Sequence, residues 1–339
     1  MISIASPKLS IGIPVYNAAR YLRQALDSLL AQTYEDFELI ISDNASDDAT
    51  EAICREYVSR DNRVKYHRHD SNRGAIWNCN HTVQLAQGEY FKWAAYDDLH
   101  HETFLQKCVE ILDAQPDVVW CHSLTSHIDA TGNTIPGSED PNIPDEQHAH
   151  SLLFTENGLP QQTRASATVS ERFTGVLMGT TWCADSFGLI RTETLRKTRL
   201  LLPCYGSEKV LFGELSLLGK YAEIPEVLFL ERIHAEASAS LRTASAQQGF
   251  VLGTQRRRRF TSTRWNLLAG HFGAICRAPV SFAQKTKCFT TLFRYVCQFR
   301  KWKRVLGQMV LRVGVGAEKR TQHEISQTSP QPVNTTSTI

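Results

Sequence analysis

The sequence lacks several features that would assign a chain of 339 residues to a special class. Its nine cysteines contain no CxxC pair and no regular spacing, which argues against a disulfide framework and against a zinc cluster. No stretch approaches the run of about 18 apolar residues that a membrane span requires. Residues 1–15 lack the basic start and apolar block of a signal peptide. We therefore expect reduced thiols and a cytoplasmic protein, either free or peripheral on the cytoplasmic face of a membrane.

Glycine-rich phosphate-binding motifs are also missing. The first predicted strand, residues 9–15, continues into Tyr16 and Asn17 with no GxGxxG, and the chain contains no P-loop. This argues against a dinucleotide-binding Rossmann domain, which would otherwise share the same alternation of strands and helices. Without a glycine cradle, a bound diphosphate needs another counter-charge, and a metal ion on a carboxylate would supply it.

The chain does have strand and helix patterns in regular alternation over its first third. Short apolar runs predict strands at residues 9–15, 37–42, 64–67, 90–93 and 118–123. Apolar residues at helical spacing separate these runs. The alternation predicts an α/β fold with a mixed, mainly parallel sheet and helices on both faces.

Polar side chains follow three of the predicted strands, at Asp43, Asn72 and Asp97. Because ligands bind beyond the carboxyl ends of strands in open α/β sheets, we expect these side chains at one edge of the sheet. Asp97 and its neighbour Asp98 could coordinate a hard cation, Mg²⁺ or Mn²⁺, that also binds a phosphate. The alternative for this pair is that both carboxylates cap the helix predicted near Glu102.

Three ordered motifs within residues 8–130, PVYNAARYL, NRGAIWNCN and AQGEYFKWAAYDDL, resemble the nucleotide-sugar-binding half of family 2 glycosyltransferases. The resemblance implies the GT-A (Rossmann-like) fold and an inverting, metal-dependent transfer of a sugar from a UDP-linked donor to a hydroxyl acceptor. It also implies a role in polysaccharide or glycolipid biosynthesis. Ala95 departs from the family, because it occupies the place of the first acid of the DxD motif. The alternative is therefore a catalytically inactive sugar-nucleotide-binding or scaffold protein of the same fold.

The resemblance also implies roles for individual residues. Asp97 would coordinate the metal as the second acid of DxD, and His234 would ligate the metal or a phosphate oxygen. Asp43 would hydrogen bond the nucleobase, and Arg232 would neutralise charge on the leaving diphosphate. The donor pocket as a whole is expected to comprise Pro14, Tyr16, Asn17, Asp43, Asn72, Arg73, Asp98 and Arg232.

Glu208 matches the position of the family's catalytic base, where aspartate is commoner. A carboxylate there would take the proton of the acceptor hydroxyl. The competing interpretation is structural, since an acid in the first turn of a helix is favourable without any catalytic role. Glu214, further along the same predicted helix, is the weaker candidate.

The predicted organisation is a GT-A domain over residues 1–245, a basic helical extension over residues 246–320 and a disordered tail over residues 321–339. Residues 8–130 form the nucleotide-sugar half of the domain and residues 131–245 the acceptor half. From residue 251 to residue 320 there are sixteen Lys and Arg residues against one acid, Glu318. An anionic membrane, a partner helix and a nucleic acid all fit such a segment. We favour the membrane and expect no nucleic-acid partner, because RNA-binding motifs are absent and the first half is acidic.

Overall fold

The computed structural model describes residues 6–135, 161–179, 184–241, 243–253 and 263–297. The chain divides into a large unit, Met1–Leu292, and a small one, Phe293–Ile339. The large unit therefore includes residues 246–292, which the sequence pattern assigns to a separate extension. The predicted tail and the part of the basic extension beyond residue 297 lie outside the described residues.

Eight strands are described: β1 (Leu9–Val15), β2 (Phe37–Asp43), β3 (Val64–Arg68), β4 (Tyr90–Trp93), β5 (Leu99–His100), β6 (Val118–Ile128), β7 (Leu189–Arg191) and β8 (Lys220–Arg232). Ten α-helices are described: α1 (Leu22–Leu30), α2 (Thr50–Arg60), α3 (Ala75–Leu85), α4 (Phe104–Ala114), α5 (Val169–Gly179), α6 (Thr192–Arg196), α7 (Glu208–Leu218), α8 (Ala244–Leu252), α9 (Thr263–Arg277) and α10 (Phe282–Val296). Three short 3-10 helices, Gln161–Ala165, Ala184–Phe187 and Ser238–Ser240, lie between them.

The strands form one sheet in the order β3-β2-β1-β4-β7-β6-β8-β5. The first four strands of this order are parallel to one another, as their alternation with helices predicts. Strand β7 runs antiparallel to both β4 and β6, and β5 runs antiparallel to β8, whereas β6 and β8 are parallel. The predicted mixed, mainly parallel α/β sheet is therefore confirmed.

Helices cover both faces of the sheet because its strands are buried on both sides. In β2, Leu39 and Ile41 pack into a cluster with α1, α2 and α4, whereas Ile40 packs on the opposite face with α3, α5 and α7. Successive side chains of a strand point to opposite faces, so an unbroken apolar run fills both layers. Because β1, β2 and β4 are parallel within this packed sheet, their carboxyl ends lie at the same edge.

Helices α8 and α9 pack onto the same body. Val251 and Leu252 of α8 join the core layer on the α3 side. The carbonyl of Val251 lies so close to Gly74 that a Cβ there would meet it at 2.1 Å. Gly74 has φ +89, so glycine is needed at this position for conformation as well as for space. These contacts explain why the large unit extends beyond residue 245.

Two predicted elements in the second half are wrong in their bounds. The sequence of residues 184–190 predicts a strand, whereas the structure has a 3-10 helix, Ala184–Phe187, followed by β7. The amphipathic pattern of residues 192–201 predicts a helix over that whole range, whereas α6 ends at Arg196. Leu200 follows with φ 57, which an α-helix cannot contain. Among the described helices, none is long and apolar enough to cross a membrane.

Candidate active site

The loop between β4 and β5 carries Asp97 and Asp98, and the end of β8 brings Arg232 and His234 against it. The Nε2 atom of His234 lies 2.8 Å from Oδ2 of Asp97. The backbone N–H of Arg232 donates to Oδ1 of Asp98 at 2.8 Å. Asp97 and Asp98 thus form one cluster with Arg232 and His234, which lie more than 130 positions later in the sequence. We call these four residues the acidic-loop cluster.

Both carboxylates have partners that rule out the helix-cap alternative. Helix α4 begins at Phe104 with Thr103 as its N-cap, and neither Asp97 nor Asp98 donates or accepts a bond there. Burial raises the pKa of Asp98 well above its ordinary value, and the nearby charges of Asp97 and Glu231 raise it further. A cation bound nearby would stabilise the charged form of such a carboxyl group.

Arg232 is almost fully buried, and each of the three nitrogens of its guanidinium donates to a protein acceptor. Its Nε donates to the carbonyl of Asp97 at 2.7 Å, one terminal nitrogen to the carbonyl of Asp129 at 3.2 Å, and the other to Oε1 of Gln24 at 2.7 Å. In this arrangement Arg232 fixes the loop. Its positive charge remains close to the carboxylates.

Asp97 and His234 form a hydrogen-bonded pair, and the separation of the two atoms is also compatible with two ligands of one small cation. Two ligand atoms that bind an ion at about 2.1 Å and at right angles lie about 3.0 Å apart, close to the 2.8 Å observed. His234 Nδ1 is buried and has no hydrogen-bond partner among the described residues. No group of three His, Cys, Asp or Glu side chains within the described part of the chain could enclose a metal. A cation here would take its other ligands from a substrate and from water.

A second group of predicted residues gathers at the ends of β1, β2 and β3. Asp43 is fully buried and accepts four hydrogen bonds. Its Oδ1 receives them from the backbone and hydroxyl of Ser46 at 2.8 and 2.6 Å, and its Oδ2 from Tyr66 at 2.6 Å and Arg68 at 2.8 Å. Both oxygens are thus occupied by protein donors, and contact with a nucleobase stays a prediction that requires one of these donors to be displaced.

The loop after β3 is tied to this group through two asparagines. The side-chain amide of Asn44 donates to Oδ1 of Asn72 at 2.9 Å, and its own Oδ1 accepts from the backbone of Arg73 at 2.9 Å. The Arg73 guanidinium lies over the Trp77 ring, 3.7 Å from its centroid. Asn72 and Arg73 therefore lie beside the β2 end, as the predicted common edge requires.

The connection from β1 to α1 contacts both groups. Asn17 has φ 52, a left-handed conformation that asparagine tolerates, and its backbone N–H donates to Ser46 at 3.0 Å. Tyr16 is 44% exposed, and Pro14 is partly buried within β1. Tyr16 is thus accessible to a ligand, while the predicted binding roles of all three residues remain untested by these contacts.

Glu208 begins α7 as a partly buried side chain, and no salt bridge to it occurs among the described residues. Burial raises the pKa of its carboxyl group. Burial also raises the pKa of the Cys79 thiol to about 12, and the nearby Glu208 carboxylate adds to that effect, so Glu208 lies in the neighbourhood of Cys79 on α3. The carbonyl of Cys79 accepts a bond from Trp93 Nε1 at 2.9 Å, which places this region at the carboxyl end of β4.

No described hydrogen bond or ion pair joins Glu208 to the acidic-loop cluster, but the two regions share a connecting segment. The hydroxyl of Tyr205 donates to the carbonyl of Ser238 at 2.9 Å, and Ser240 donates to the carbonyl of His234 at 3.0 Å. The segment after β8 therefore contacts both the turn before Glu208 and one member of the cluster.

Glu214 has a different environment from Glu208. It is 6% exposed and forms ion pairs with Arg199 at 2.8 Å and Arg277 at 2.7 Å. These contacts tie α7 to the loop after α6 and to α9. Glu214 is thus a structural residue in this arrangement, which agrees with its rank as the weaker candidate.

Tyr21 also contacts the acidic-loop cluster, although the sequence pattern gives this residue no role in the site. The Tyr21 ring contacts the His234 ring at 4.9 Å between centroids, and the Arg232 guanidinium lies over it at 4.7 Å. Its hydroxyl is buried with no partner among the described residues. No spacing rule connects residue 21 to residue 234, so only its position after the first strand could have suggested a role.

Comparisons with known proteins agree with this geometry. Residues 10–168 match the family model described as Glycosyl transferase family 2. RT0329 of Rickettsia typhi, named as an uncharacterized glycosyltransferase, is 38% identical over 119 residues, 34% of this chain and 36% of that protein. Glycosyltransferase GlyG of Streptococcus pneumoniae serotype 4 is 30% identical over 115 residues, 34% of this chain and 38% of that protein. The matched segments thus span little more than a third of these relatives.

Solved structures share the fold at low sequence identity. S. aureus TarS 1-349 in complex with UDP-GlcNAc has a TM-score of 0.56 and 16% identity, over 85% of this chain and 71% of that chain. The mannosyltransferase PcManGT from Pyrobaculum calidifontis, in complex with GDP-Man and Mn²⁺, has a TM-score of 0.50 and 14% identity, over 91% and 86%. Residues 10–168 of this chain thus match glycosyl transferase family 2, and the fold of the chain is GT-A.

Proposed function

We propose that this protein is a glycosyltransferase that moves a sugar from a nucleotide-diphosphate donor, UDP-linked, to an acceptor hydroxyl with inversion at the anomeric carbon. The observation that carries the proposal is the acidic-loop cluster, in which Asp97, Asp98, Arg232 and His234 meet at the carboxyl end of β4. The structures of TarS in complex with UDP-GlcNAc and of PcManGT in complex with GDP-Man support a nucleotide-sugar donor. A role in polysaccharide or glycolipid biosynthesis belongs to the same proposal.

A divalent cation, Mg²⁺ or Mn²⁺, would be held by Asp97 and His234, with the donor diphosphate and water as further ligands. When bound, such an ion neutralises charge on the departing diphosphate. The neighbouring PcManGT structure, which contains Mn²⁺, supports this choice of ion. Arg232 contributes its buried positive charge from behind the loop and holds the Asp97 carbonyl in place.

Glu208 acts as the general base in this proposal. The acceptor hydroxyl attacks the anomeric carbon, its proton passes to a carboxylate oxygen of Glu208, and the bond to the diphosphate oxygen breaks on the opposite face of the sugar. The nucleoside diphosphate leaves with that electron pair, so a single displacement inverts the configuration. A carboxylate whose pKa is raised by burial is a stronger base than one in water, which suits this step.

Ala95 favours a second candidate, a catalytically inactive protein that binds sugar nucleotides or serves as a scaffold. Its methyl side chain stands where the family carries the first acid of DxD, so one oxygen donor is absent. The two candidates differ in turnover, while both predict donor binding.

We also propose that the outer face of α9 and α10 docks on an anionic membrane. Trp265 and Phe272 of α9 are 47% and 54% exposed, and Phe282 at the start of α10 is 85% exposed. No Asp or Glu occurs between residues 237 and 317. Exposed aromatic side chains on basic helices are typical of surfaces that lie at the lipid headgroup level.

The test of the donor-binding and turnover proposals is a thermal-shift screen of nucleotide sugars with and without Mn²⁺, followed by turnover of the donors that bind. We expect UDP-sugars to raise the melting temperature only with the metal, and Asp97→Ala to abolish both binding and turnover. Full turnover in excess chelator would refute the metal proposal. Binding without turnover for every acceptor class would favour the inactive alternative.

A further inference from the structure

Lys92 is a fully buried lysine at the third position of β4, between the apolar residues Phe91 and Trp93. A buried ammonium group is costly unless it is hydrogen-bonded and balanced by charge. No carboxylate forms a salt bridge with Lys92 in the part of the chain that the structure describes. The sequence pattern predicts this strand as a short apolar run and gives the lysine no role.

Burial lowers the pKa of the Lys92 amine to about 7. In its charged form the amine has three N–H donors, and an acceptor lies within reach of each. The acceptors are the carbonyl of Trp93 at 3.0 Å, the carbonyl of Phe187 at 2.8 Å and Nε2 of His100 at 2.9 Å. Burial, followed by the Lys92 charge, lowers the pKa of His100 well below its ordinary value, so the neutral imidazole accepts this bond. The ammonium group also lies over the Phe104 ring, 4.9 Å from its centroid.

The hydrogen bond between Lys92 and His100 links the two strands on either side of the loop that carries Asp97 and Asp98. Lys92 is the last residue but one of β4, residues 94–98 connect β4 to β5, and His100 is the last residue of β5. Strand β5 is in turn paired to β8, with His100 opposite Phe229. One side-chain bond therefore joins the strand that enters the loop to the strand that leaves it.

We propose that Lys92 is a positioning residue of the candidate active site, whose bond to His100 fastens the two ends of the loop that carries Asp97 and Asp98. The inference rests on the proposed function of that loop. Without the bond, the strand ends stay in the sheet, but the carboxylates lose the fixed spacing to His234. Residues that orient ligands in this way commonly change metal affinity by about 10- to 100-fold when they are removed.

Three variants and one control test this inference on the full-length chain. Lys92→Met keeps the length of the side chain but removes all three donors. His100→Leu removes the acceptor, whereas His100→Gln keeps an acceptor oxygen close to the position of Nε2. Arg172→Met is the matched control, because Arg172 is another buried cation held by three carbonyls, those of Ser166, Ala167 and Ser216, away from the loop.

The measurements are amide hydrogen exchange of residues 94–98 and UDP affinity with Mn²⁺. We expect Lys92→Met and His100→Leu each to speed loop exchange and to weaken UDP binding by about 10- to 100-fold. The double variant should lose no more than either single one, since both changes remove the same bond. His100→Gln should remain close to wild type, and Arg172→Met should lower stability without a selective change in the loop.

Equal loop exchange in Lys92→Met and Arg172→Met would overturn the inference, as would wild-type UDP affinity in Lys92→Met. If the wild-type chain binds no nucleotide with Mn²⁺, the proposed function fails. The exchange comparison then still decides whether Lys92 orders the loop.

Discussion

Replacing Glu208 with glutamine removes the proposed proton acceptor while keeping the size of the side chain. General-base catalysis typically contributes about 10²- to 10⁴-fold in rate, which corresponds to about 2.7–5.4 kcal/mol of activation free energy. We therefore expect kcat of Glu208→Gln to fall by about 10²- to 10⁴-fold. The Kd for UDP with Mn²⁺ should stay unchanged, because Asp97 and His234 hold the metal in this proposal.

The same substitution should cost little stability. Glu208 has no ion pair among the described residues, and its raised pKa means that burial already disfavours the charged form. A neutral glutamine should therefore change the free energy of unfolding by less than about 1 kcal/mol. Glu214→Gln is the contrasting variant, since it weakens charged hydrogen bonds to Arg199 and Arg277 and should cost about 2 kcal/mol with no comparable loss in kcat.

The assay is steady-state release of UDP in the presence of acceptor, together with calorimetric UDP binding for each variant. Only the carboxylate form of Glu208 accepts a proton, so kcat should fall as pH drops through a pKa above the ordinary glutamate value. Glu208→Asp should retain part of the activity. A Glu208→Gln variant with kcat within threefold of wild type would refute the base assignment, and so would a parallel loss of UDP binding.

Three further changes have definite expected outcomes. Ala45 has φ 65, so Ala45→Gly should raise the urea midpoint by relieving about 1 kcal/mol of strain, and a lower midpoint would contradict this. Tyr21→Phe should keep stability and UDP affinity because it removes only an unpartnered hydroxyl, whereas Tyr21→Leu should weaken UDP binding by removing the ring that contacts Arg232 and His234. Replacing Trp265 and Phe282 together with serine should reduce sedimentation with anionic liposomes, with neutral liposomes as the control, and unchanged sedimentation would argue against the docking face.

The choice of point variants for the membrane test follows from the fold. Deleting the chain after residue 249 would also release the protein from liposomes if docking is real. However, Val251, Leu252 and Ile275 are buried in the large unit, so such a deletion would remove part of its packing. Loss of binding after deletion would then reflect unfolding as readily as loss of the docking face.

The parallel half of the sheet could be predicted because its signals are local. Each strand is a short apolar run, each crossover is a helix with its own periodicity, and this alternation predicts a parallel sheet with right-handed crossovers. The residues after β2 and β3 could be placed together for the same reason, and Asn44 indeed contacts Asn72. The second half gave weaker predictions because its short elements, such as β7 and α6, depend on tertiary contacts.

The contacts within the acidic-loop cluster could not be predicted from local pattern. Arg232 lies more than 200 residues from Gln24 and 135 residues from Asp97, and only the register of β8 against β6 and β5 brings them together. The family resemblance selected Arg232 and His234 but suggested that the guanidinium faces the diphosphate. In the structure each guanidinium nitrogen donates to a protein acceptor, so Arg232 supports the loop, and its contact with the diphosphate stays a prediction.

The small number of protein ligands has a consequence for how metal and donor bind. Asp97 and His234 offer two ligand atoms, Ala95 offers none, and no third His, Cys, Asp or Glu completes a metal site within the described residues. An octahedral ion would therefore need about four ligands from the diphosphate and water. Metal alone should then bind weakly, and the donor should bind well only together with the metal. By linkage each would increase the affinity of the other by the same factor, so in the proposed site the missing acid at position 95 would make metal binding depend on the substrate.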